Sequence, residues 1–236
     1  MRTVAIVQAR MGSSRFPGKM VAKLGGRPLL QWVLERVRRT EGLDGVVLAT
    51  SSHPRDEELG KLARSLGVEV FRGDEEDVLG RFDEAARQAN AEVIVRVCAD
   101  NPFVAPEEIQ RLIRFFAAEN PDYACNHMDR LGSKYADGFG AEILRRNVLE
   151  DVAGKARDPR HREHVTLYLW DHTAQYRMAV VPAPPELAHP ELRFDVDSTD
   201  DLAFLESLVA SGVSLQSPAM EIIRRTLVAS KNKRTA

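Results

Sequence analysis

The sequence lacks several features on which whole classes of protein depend. It has only two cysteines among 236 residues, Cys98 and Cys125, which excludes a disulfide framework and a zinc site with four cysteine ligands. It has neither a secretory signal pattern nor an apolar run of about 18 residues, so we expect a cytoplasmic protein without a membrane partner. Lys and Arg number 33 against 35 Asp and Glu, so no basic excess indicates a nucleic-acid partner.

What the sequence does contain is an alternation of apolar strands and amphipathic helices. Runs rich in β-branched residues predict buried strands at residues 3–8, 45–49, 68–71 and 93–97. Apolar residues recur with helical spacing over residues 59–66 and 109–116. Repeated strand–helix–strand units imply right-handed crossovers, and therefore predict an α/β fold with a mainly parallel, doubly wound sheet.

The second half of the chain is less regular. Its predicted elements are a strand at 122–125, a polar loop at 130–140, one helix over 160–170, a strand at 176–182 and a helix over 198–209. Ser198 with Asp201 three residues later predicts a capping box at the start of the last helix. We expect a single domain over residues 1–236, in which residues 122–190 form a small insertion that covers the site or makes a homodimer contact.

The segment after the first strand has the composition of a phosphate site. Residues 8–19 read QARMGSSRFPGK and include the cations Arg10, Arg15 and Lys19. They follow the carboxyl end of a buried strand, which is where α/β sheets bind ligands. Glycines let backbone N–H groups approach an anion and the cations neutralise its charge, so the segment predicts a triphosphate site. A solvated basic turn is the alternative interpretation.

This segment differs from the common nucleotide-binding motifs. One residue more than in a P-loop separates Gly12 from Gly18, and Met20 stands where Ser or Thr would hold Mg²⁺. The dinucleotide fingerprint G-x-G-x-x-G is absent as well. If the segment binds a triphosphate, it does so with neither of these two motifs.

Together with later motifs in the same order, the segment resembles the cytidylyltransferases that activate acidic sugars. This family includes the acylneuraminate and 3-deoxy-manno-octulosonate cytidylyltransferases and the spore coat polysaccharide biosynthesis protein F group. The later motifs are LGGRPLL at 24–30, ATS at 49–51, VFRG at 70–73, ADNP at 99–102, REHVT at 162–166 and DVDSTDDL at 195–202. The resemblance implies a glycosyltransferase-A-like fold and a reaction of CTP with a small acidic sugar that yields a CMP-sugar and pyrophosphate, with Mg²⁺ as cofactor.

The resemblance also implies which residues bind the nucleotide. They are Gln8, Ala9, Arg10, Met11, Gly12, Ser13, Ser14, Arg15, Lys19, Thr50 and Arg72, the last at a position associated with the nucleoside. The implied catalytic residues are Lys19, Arg15 and Asp100. Cytosine is the implied base, and backbone carbonyls near Ala9 or Ala49 are expected to accept its N4 amine.

Three carboxylates are candidates for holding the metal. Asp100 follows the fourth predicted strand, and Asp195 and Asp197 lie on an extended stretch whose alternate residues face the same way. Mg²⁺ prefers a few carboxylates together with phosphate oxygens. The resemblance implies Asp100 and Asp197 as ligands, with Asp195 as a third. Asp200 and Asp201 are instead expected to stabilise the start of a helix.

The acceptor side is implied by resemblance in the same way. Its expected lining is Asn101, Tyr135, Asp137, Glu142, Glu163 and His164. His164 is either a base or a structural residue, and Arg96 either meets an acceptor carboxylate or forms a structural salt bridge. Many family members carry an acid two residues after the Asp-Gly pair that here is Asp137-Gly138. This chain has Gly140 at that place, and the difference bears on the identity of the acceptor more than on the nucleotide chemistry.

Three other functions are compatible with these residues. A glycosyltransferase that consumes a preformed nucleotide sugar would share the D-x-D pattern of residues 195–197, although three cations in residues 8–19 favour a triphosphate. A nucleotide-binding module without turnover is disfavoured because Lys19, Asp100 and Asp197 occur together. GTP or UTP in place of CTP would need only a different base pocket.

Overall fold

A seven-stranded sheet forms the centre of the molecule, in the order β5-β4-β1-β6-β8-β7-β9. Its strands are β1 Thr3–Gln8, β4 Gly45–Ser51, β5 Glu69–Gly73, β6 Val93–Cys98, β7 Tyr123–Cys125, β8 Glu142–Arg145 and β9 Met178–Val180. A separate two-stranded ribbon is formed by β2 Lys23–Leu24 and β3 Arg27–Pro28. The computed structural model describes residues 1–13 and 15–234, with side chains through residue 229. Ser14, predicted to bind the nucleotide, lies outside the described residues.

The sheet is parallel except at one strand. β1 pairs in parallel with both β4 and β6, and β4 pairs in parallel with β5. β8 runs antiparallel to both β6 and β7, and β9 is parallel to β7. The predicted mainly parallel sheet is confirmed, and all strands except β8 end at the same edge.

Helices cover both faces of this sheet. They are α1 Leu29–Val37, α2 Glu57–Ser65, α3 Val78–Gln88, α4 Pro106–Glu119, α5 Arg146–Lys155, α6 Pro159–Glu163, α7 Leu167–Asp171, α8 Thr199–Ala210 and α9 Ala219–Arg234. Alternate side chains of β1 enter different cores, because successive residues of a strand point to opposite faces. Ala5 and Val7 belong to one core, and Val4 and Ile6 to the other. None of the described helices has the length and apolarity needed to cross a bilayer.

The second half follows the sequence pattern less closely than the first. The capping box is confirmed, since Ser198 and Asp201 bond reciprocally at the start of α8. The single helix predicted over 160–170 is wrong, because α6 and α7 are separate. His164 ends α6 in an extended conformation, and the Thr166 hydroxyl donates to Glu142 at 2.8 Å. A tertiary hydrogen bond therefore interrupts the predicted helix.

A buried arginine ties the start of α4 to the segment before α9. Arg36 in α1 is fully buried, and its guanidinium donates to the carbonyl oxygens of Val104 at 2.6 Å, Leu215 at 2.8 Å and Ser217 at 2.9 Å. Hydrogen bonds from a charged donor stabilise a protein by about 1.5–3 kcal/mol each. Arg36 thus fixes two loops against the parallel half of the sheet.

Replacing Arg36 by methionine should destabilise the fold. The change keeps the apolar stem but takes the guanidinium away from the buried carbonyls of Val104 and Ser217, whereas the Leu215 carbonyl keeps a bond from Arg39. We therefore expect the free energy of unfolding to fall by about 3 kcal/mol or more. Urea unfolding of Arg36→Met measures the loss, with the exposed Arg114→Met as a matched control. A difference between the two variants of less than about 1 kcal/mol would show that these bonds contribute little.

Candidate active site

Two adjoining cavities open at the edge where the parallel strands end. The first, which we name the loop cavity, has a volume of about 500 Å³ and lies against the segment after β1. The second, the sheet cavity, has a volume of about 350 Å³ and lies over the ends of β6 and β8. Both are lined by Arg96, Cys98, Asp100 and His164. The end of β6 therefore forms their common wall.

The segment after β1 is held in place by a buried carboxylate. Asp56, fully buried between β4 and α2, accepts the backbone N–H of Met11 at 2.7 Å and the hydroxyl hydrogen of Ser51. Gly12 packs so closely that a Cβ there would lie 2.6 Å from the Arg55 guanidinium. A side chain at this position would have to displace the ends of the Arg55 and Glu75 side chains.

The cations of this segment are all paired with oxygen atoms. The Lys19 ammonium is nearly buried and donates to the Val196 carbonyl at 2.8 Å. It also lies 3.4 Å from Asp197 and 3.6 Å from Asp100. Arg15, mostly exposed, pairs with Asp197 at 2.9 Å. A triphosphate entering the loop cavity would meet these same cations in place of the carboxylates.

The remaining loop cation connects the segment after β1 with α6. Arg10 pairs with Glu163 at 3.2 Å and donates to the carbonyl oxygen of Glu75 at 3.2 Å. Glu163 is the last residue of α6, directly before His164. An ion pair between two residues of the cavity lining therefore connects the segment after β1 with α6.

The three predicted metal ligands lie close together, but each is engaged. Burial raises the pKa of Asp100, and Asp195 and Asp197 raise it further against the opposing charge of Lys19. Asp195 forms a two-pronged pair with Arg193, at 3.0 and 2.6 Å. Within the described part of the chain, no three His, Cys, Asp or Glu side chains form a ready metal cluster.

Two of these carboxylates nevertheless fit a hard divalent cation. Asp100 and Asp197 share one cation, the Lys19 ammonium, which shows that their oxygens already converge on one positive charge. Mg²⁺ bound with substrate phosphates needs only one or two protein carboxylates. The donor set is therefore suited to a metal that arrives with a nucleotide.

A buried ion pair forms the floor of the sheet cavity. Arg96 pairs with Glu142, which also accepts the hydroxyl hydrogens of Tyr123 and Thr166. Burial raises the pKa of Glu142, but Arg96 and the surrounding donors outweigh burial and bring it to about 2. Arg96 also lies 3.5 Å from the Gln8 amide oxygen, in the loop cavity. Of the two roles open for Arg96 from the sequence, the structure shows the salt bridge.

Most predicted site residues line one of the two cavities. Those of the loop cavity are Gln8, Ala9, Arg10, Gly12, Ser13, Arg15, Lys19, Asp100, Glu163, His164 and Asp197. Those of the sheet cavity are Asp100, Asn101, Asp137, Glu142, His164 and Asp195. His164, exposed in both, has no side-chain hydrogen-bond partner among the described residues. The structure thus brings together residues from distant parts of the sequence.

Three predicted residues lie elsewhere. Tyr135 is fully buried in the core, where its hydroxyl donates to Glu108 at 2.7 Å instead of facing a cavity. Thr50 is also fully buried. Arg72 pairs with Glu57 and donates to the carbonyl oxygens at the end of β4, so its guanidinium braces that turn. In the folded chain, Tyr135 and Thr50 are therefore interior residues, and Arg72 stabilises a turn.

Two further details concern the backbone. Met11 lines neither cavity, and its backbone N–H is held by Asp56. The Ala49 carbonyl accepts the Ala9 N–H at 3.4 Å, which uses one of its two lone pairs. A Cβ at Gly140 would lie 2.1 Å from the Asn126 carbonyl oxygen. A side chain at this position would therefore collide with the backbone of Asn126.

The structure also reveals site residues that the sequence analysis missed. Arg130 and Trp170 line the sheet cavity, with the guanidinium carbon 4.3 Å from the ring centroid. His127 lines it as well. Forty positions separate Arg130 from Trp170 in sequence, and no local pattern connects them. Only the fold brings them together.

Comparison with known proteins agrees with this geometry. The pattern of the family described as cytidylyltransferase matches residues 4–216. The spore coat polysaccharide biosynthesis protein SpsF of Bacillus subtilis (strain 168) is 35% identical over 208 residues, covering 86% of this chain and 84% of that protein. The 3-deoxy-manno-octulosonate cytidylyltransferase of Anaeromyxobacter dehalogenans (strain 2CP-C) is 29% identical over 256 aligned positions, covering 90% and 100% of the two chains.

A solved structure is similar over nearly the whole chain. The cytidylyltransferase from Leptospira borgpetersenii serovar Hardjo-bovis superimposes with a TM-score of 0.89 at 27% identity, covering 99% of this chain and 96% of that one. The fold and the cation-rich loop thus define a nucleotidyltransferase with a glycosyltransferase-A-like sheet. The chain belongs to the cytidylyltransferase family.

The stability of the folded protein should depend on pH through His127, which lines the sheet cavity. Burial lowers the pKa of this histidine to about 4. Because the unfolded chain binds the proton more tightly, stability falls as the pH drops below the unfolded value of about 6.5 and the loss levels off near the folded value. Between pH 7 and pH 5 we expect wild type to lose about 2 kcal/mol more than His127→Gln. Urea unfolding at both pH values measures this, and parallel losses in the two proteins would contradict it.

Proposed function

We propose that this cytidylyltransferase transfers the cytidylyl group from CTP to a hydroxyl of a sugar acid in the presence of Mg²⁺. The acceptor oxygen forms a bond to the α-phosphorus, the bond to the β-phosphate breaks, and pyrophosphate and the hydroxyl proton leave. One observation carries this assignment: a cavity lined by three loop cations joins a second, polar cavity through Asp100. A triphosphate and an acceptor would thus meet at the end of β6.

The residues of the loop cavity have defined roles in this proposal. Arg10, Arg15 and Lys19 neutralise the triphosphate and the charge that develops on the leaving pyrophosphate. Asp100 and Asp197 would hold the metal, and Asp195, which pairs with Arg193, would be the third ligand. A divalent cation in that position supplies electrophilic activation of the phosphate. Holding both reactants in line accounts for much of the expected rate gain.

The residues of the sheet cavity would hold the acceptor. Asn101, Asp137 and Glu142 present polar groups for sugar hydroxyls, although Glu142 already accepts three groups in the structure. His164 lines both cavities and has no side-chain partner among the described residues, so it is placed to accept a proton from the acceptor. The proposal includes an insertion over residues 122–190 that serves the acceptor and a homodimer contact.

A panel of substrates tests the proposed reaction. CTP, UTP, GTP and ATP are each offered with 3-deoxy-manno-octulosonate, N-acetylneuraminate, glucuronate and glucose, and pyrophosphate release is measured. We expect CTP to exceed UTP and GTP by about two orders of magnitude in kcat/KM, because a base whose exocyclic group leaves buried partners unpaired is rejected by roughly 3 kcal/mol. Preferential turnover of GTP or UTP would overturn the choice of base. Use of a preformed nucleotide sugar without pyrophosphate release would overturn the reaction.

Removing the Lys19 ammonium should impair the reaction. In Lys19→Ala, Asp100 and Asp197 lose their shared counter-charge and the triphosphate loses a charge-assisted bond, so kcat/KM for CTP should fall about 10- to 100-fold. Arg15→Ala should lose less, because Arg15 is mostly exposed. Steady-state kinetics measures both, with the exposed Lys61→Ala as control. Wild-type kinetics in Lys19→Ala would contradict the phosphate site.

Neutralising the metal carboxylates should change metal dependence. An amide is a poorer ligand for a hard cation, so Asp100→Asn and Asp197→Asn should each lose most turnover and need more Mg²⁺ for the remainder. Turnover measured against Mg²⁺ concentration tests this. Asp200→Asn, a nearby exposed acid at the start of α8, should retain the wild-type curve. Activity that persists in excess chelator would argue against any metal role.

A further inference from the structure

Arg130 stands apart from the other cations of the two cavities. Arg96 pairs with Glu142, Lys19 lies between two aspartates, and Arg15 pairs with Asp197. Arg130 lines the sheet cavity, yet it forms no ion pair with any acid in the described part of the chain. Its positive charge is therefore available to a ligand.

An aromatic platform holds this guanidinium at the cavity wall. Its central carbon lies 4.3 Å from the Trp170 ring centroid, within the range of a cation–π interaction. The Trp170 indole N–H donates to the Tyr123 hydroxyl at 3.3 Å, and the two rings meet edge to face. Tyr123 in turn donates to Glu142. The same buried network that pairs Arg96 thus fixes the platform beneath Arg130.

The donors of Arg130 are largely unused. Its Nε contacts the Met128 sulfur at 3.3 Å, and its two terminal nitrogens have no hydrogen-bond partner among the described residues. A guanidinium with free terminal N–H groups binds a carboxylate or phosphate through two parallel, charge-assisted bonds. Lysine, a compact point charge, lacks this geometry.

The rest of the sheet cavity disfavours an anion. Asp100, Asp137 and Asp195 line it. Burial, and to a lesser extent the neighbouring Asp195, raise the pKa of Asp137 to about 6. An anionic acceptor is therefore repelled from the acidic wall, and Arg130 is the attractive position.

We propose that Arg130 binds the anionic group of the acceptor and so selects acidic over neutral sugars. This inference rests on the proposed function, because it assigns the sheet cavity to the acceptor. Arg130 acts in recognition, while the reacting hydroxyl lies at the junction with the loop cavity. The ligand chemistry it recognises is a carboxylate carried by a sugar.

A binding titration tests the proposal without turnover. The chain has two tryptophans, of which Trp32 is buried in the core, so changes in emission on acid binding report on Trp170. Wild type and Arg130→Gln are titrated with 3-deoxy-manno-octulosonate, N-acetylneuraminate and glucuronate, with Mg²⁺ and a non-hydrolysable CTP analogue present and glucose as the neutral probe. We expect at least one acid to bind wild type, and to bind Arg130→Gln at least tenfold more weakly.

Kinetics of the same variants separates recognition from a structural effect. In Arg130→Gln the KM for the acid that turns over should rise at least tenfold while the KM for CTP stays unchanged. Arg130→Lys should recover part of the loss, because it keeps the charge without the planar fork. Arg114→Gln, an exposed arginine on α4, is the charge-matched control and should behave as wild type.

The outcomes distinguish this inference from the proposed function. Equal acid binding by wild type and Arg130→Gln, no acid binding by wild type, or glucose binding as tightly as the acids would each overturn the role of Arg130. If no sugar supports pyrophosphate release while acid binding still depends on Arg130, the proposed reaction fails and the binding site stands.

Discussion

The contact of the Lys19 ammonium with three oxygens holds the two halves of the site together. It joins the segment after β1 to Asp100 at the end of β6 and to Val196 and Asp197 before α8. Without that positive charge, two partly buried carboxylates would repel each other across the loop cavity. The shape of the cavity therefore depends on a cation inside it. In the proposed reaction, a triphosphate with its metal would bring a negative charge for Lys19 and a positive charge for the two carboxylates.

A second buried pair separates the two cavities chemically. Arg96 and Glu142 come from adjacent antiparallel strands, and the reversed direction of β8 is what places Glu142 against β6. The hydroxyl groups of Tyr123 and Thr166 both donate to the other oxygen of Glu142, Oε1. A buried ion pair contributes little to stability by itself, but breaking it is costly because one charge is left uncompensated. The pair thus forms the floor of the sheet cavity and, through the Tyr123 hydroxyl, helps to position Trp170.

The sequence predicted the parallel half of the fold more accurately than the second half. β1 matches its apolar run because a strand covered on both faces is continuously hydrophobic. The helix over residues 160–170 failed because Thr166 bonds to Glu142, a contact that no local pattern encodes. The candidate site follows the same division. The loop cations after β1 line the loop cavity, whereas Tyr135 and Arg72 are polar residues that the packing directs into the core and into a turn.

The sequence by itself determined the strands of the parallel half, the capping box of α8 and the cation-rich loop, because each depends on residues close together in the chain. The predicted parallel sheet also put Asp100 at the carboxyl edge, but only the structure showed that β6 pairs with β1. Only the tertiary structure decided which polar groups face the cavities. Arg96 is neutralised by Glu142, while Arg130 rests on Trp170 and pairs with no acid among the residues that the structure describes. Whether a charge is compensated depends on neighbours from distant segments, and that information exists only once the chain is folded.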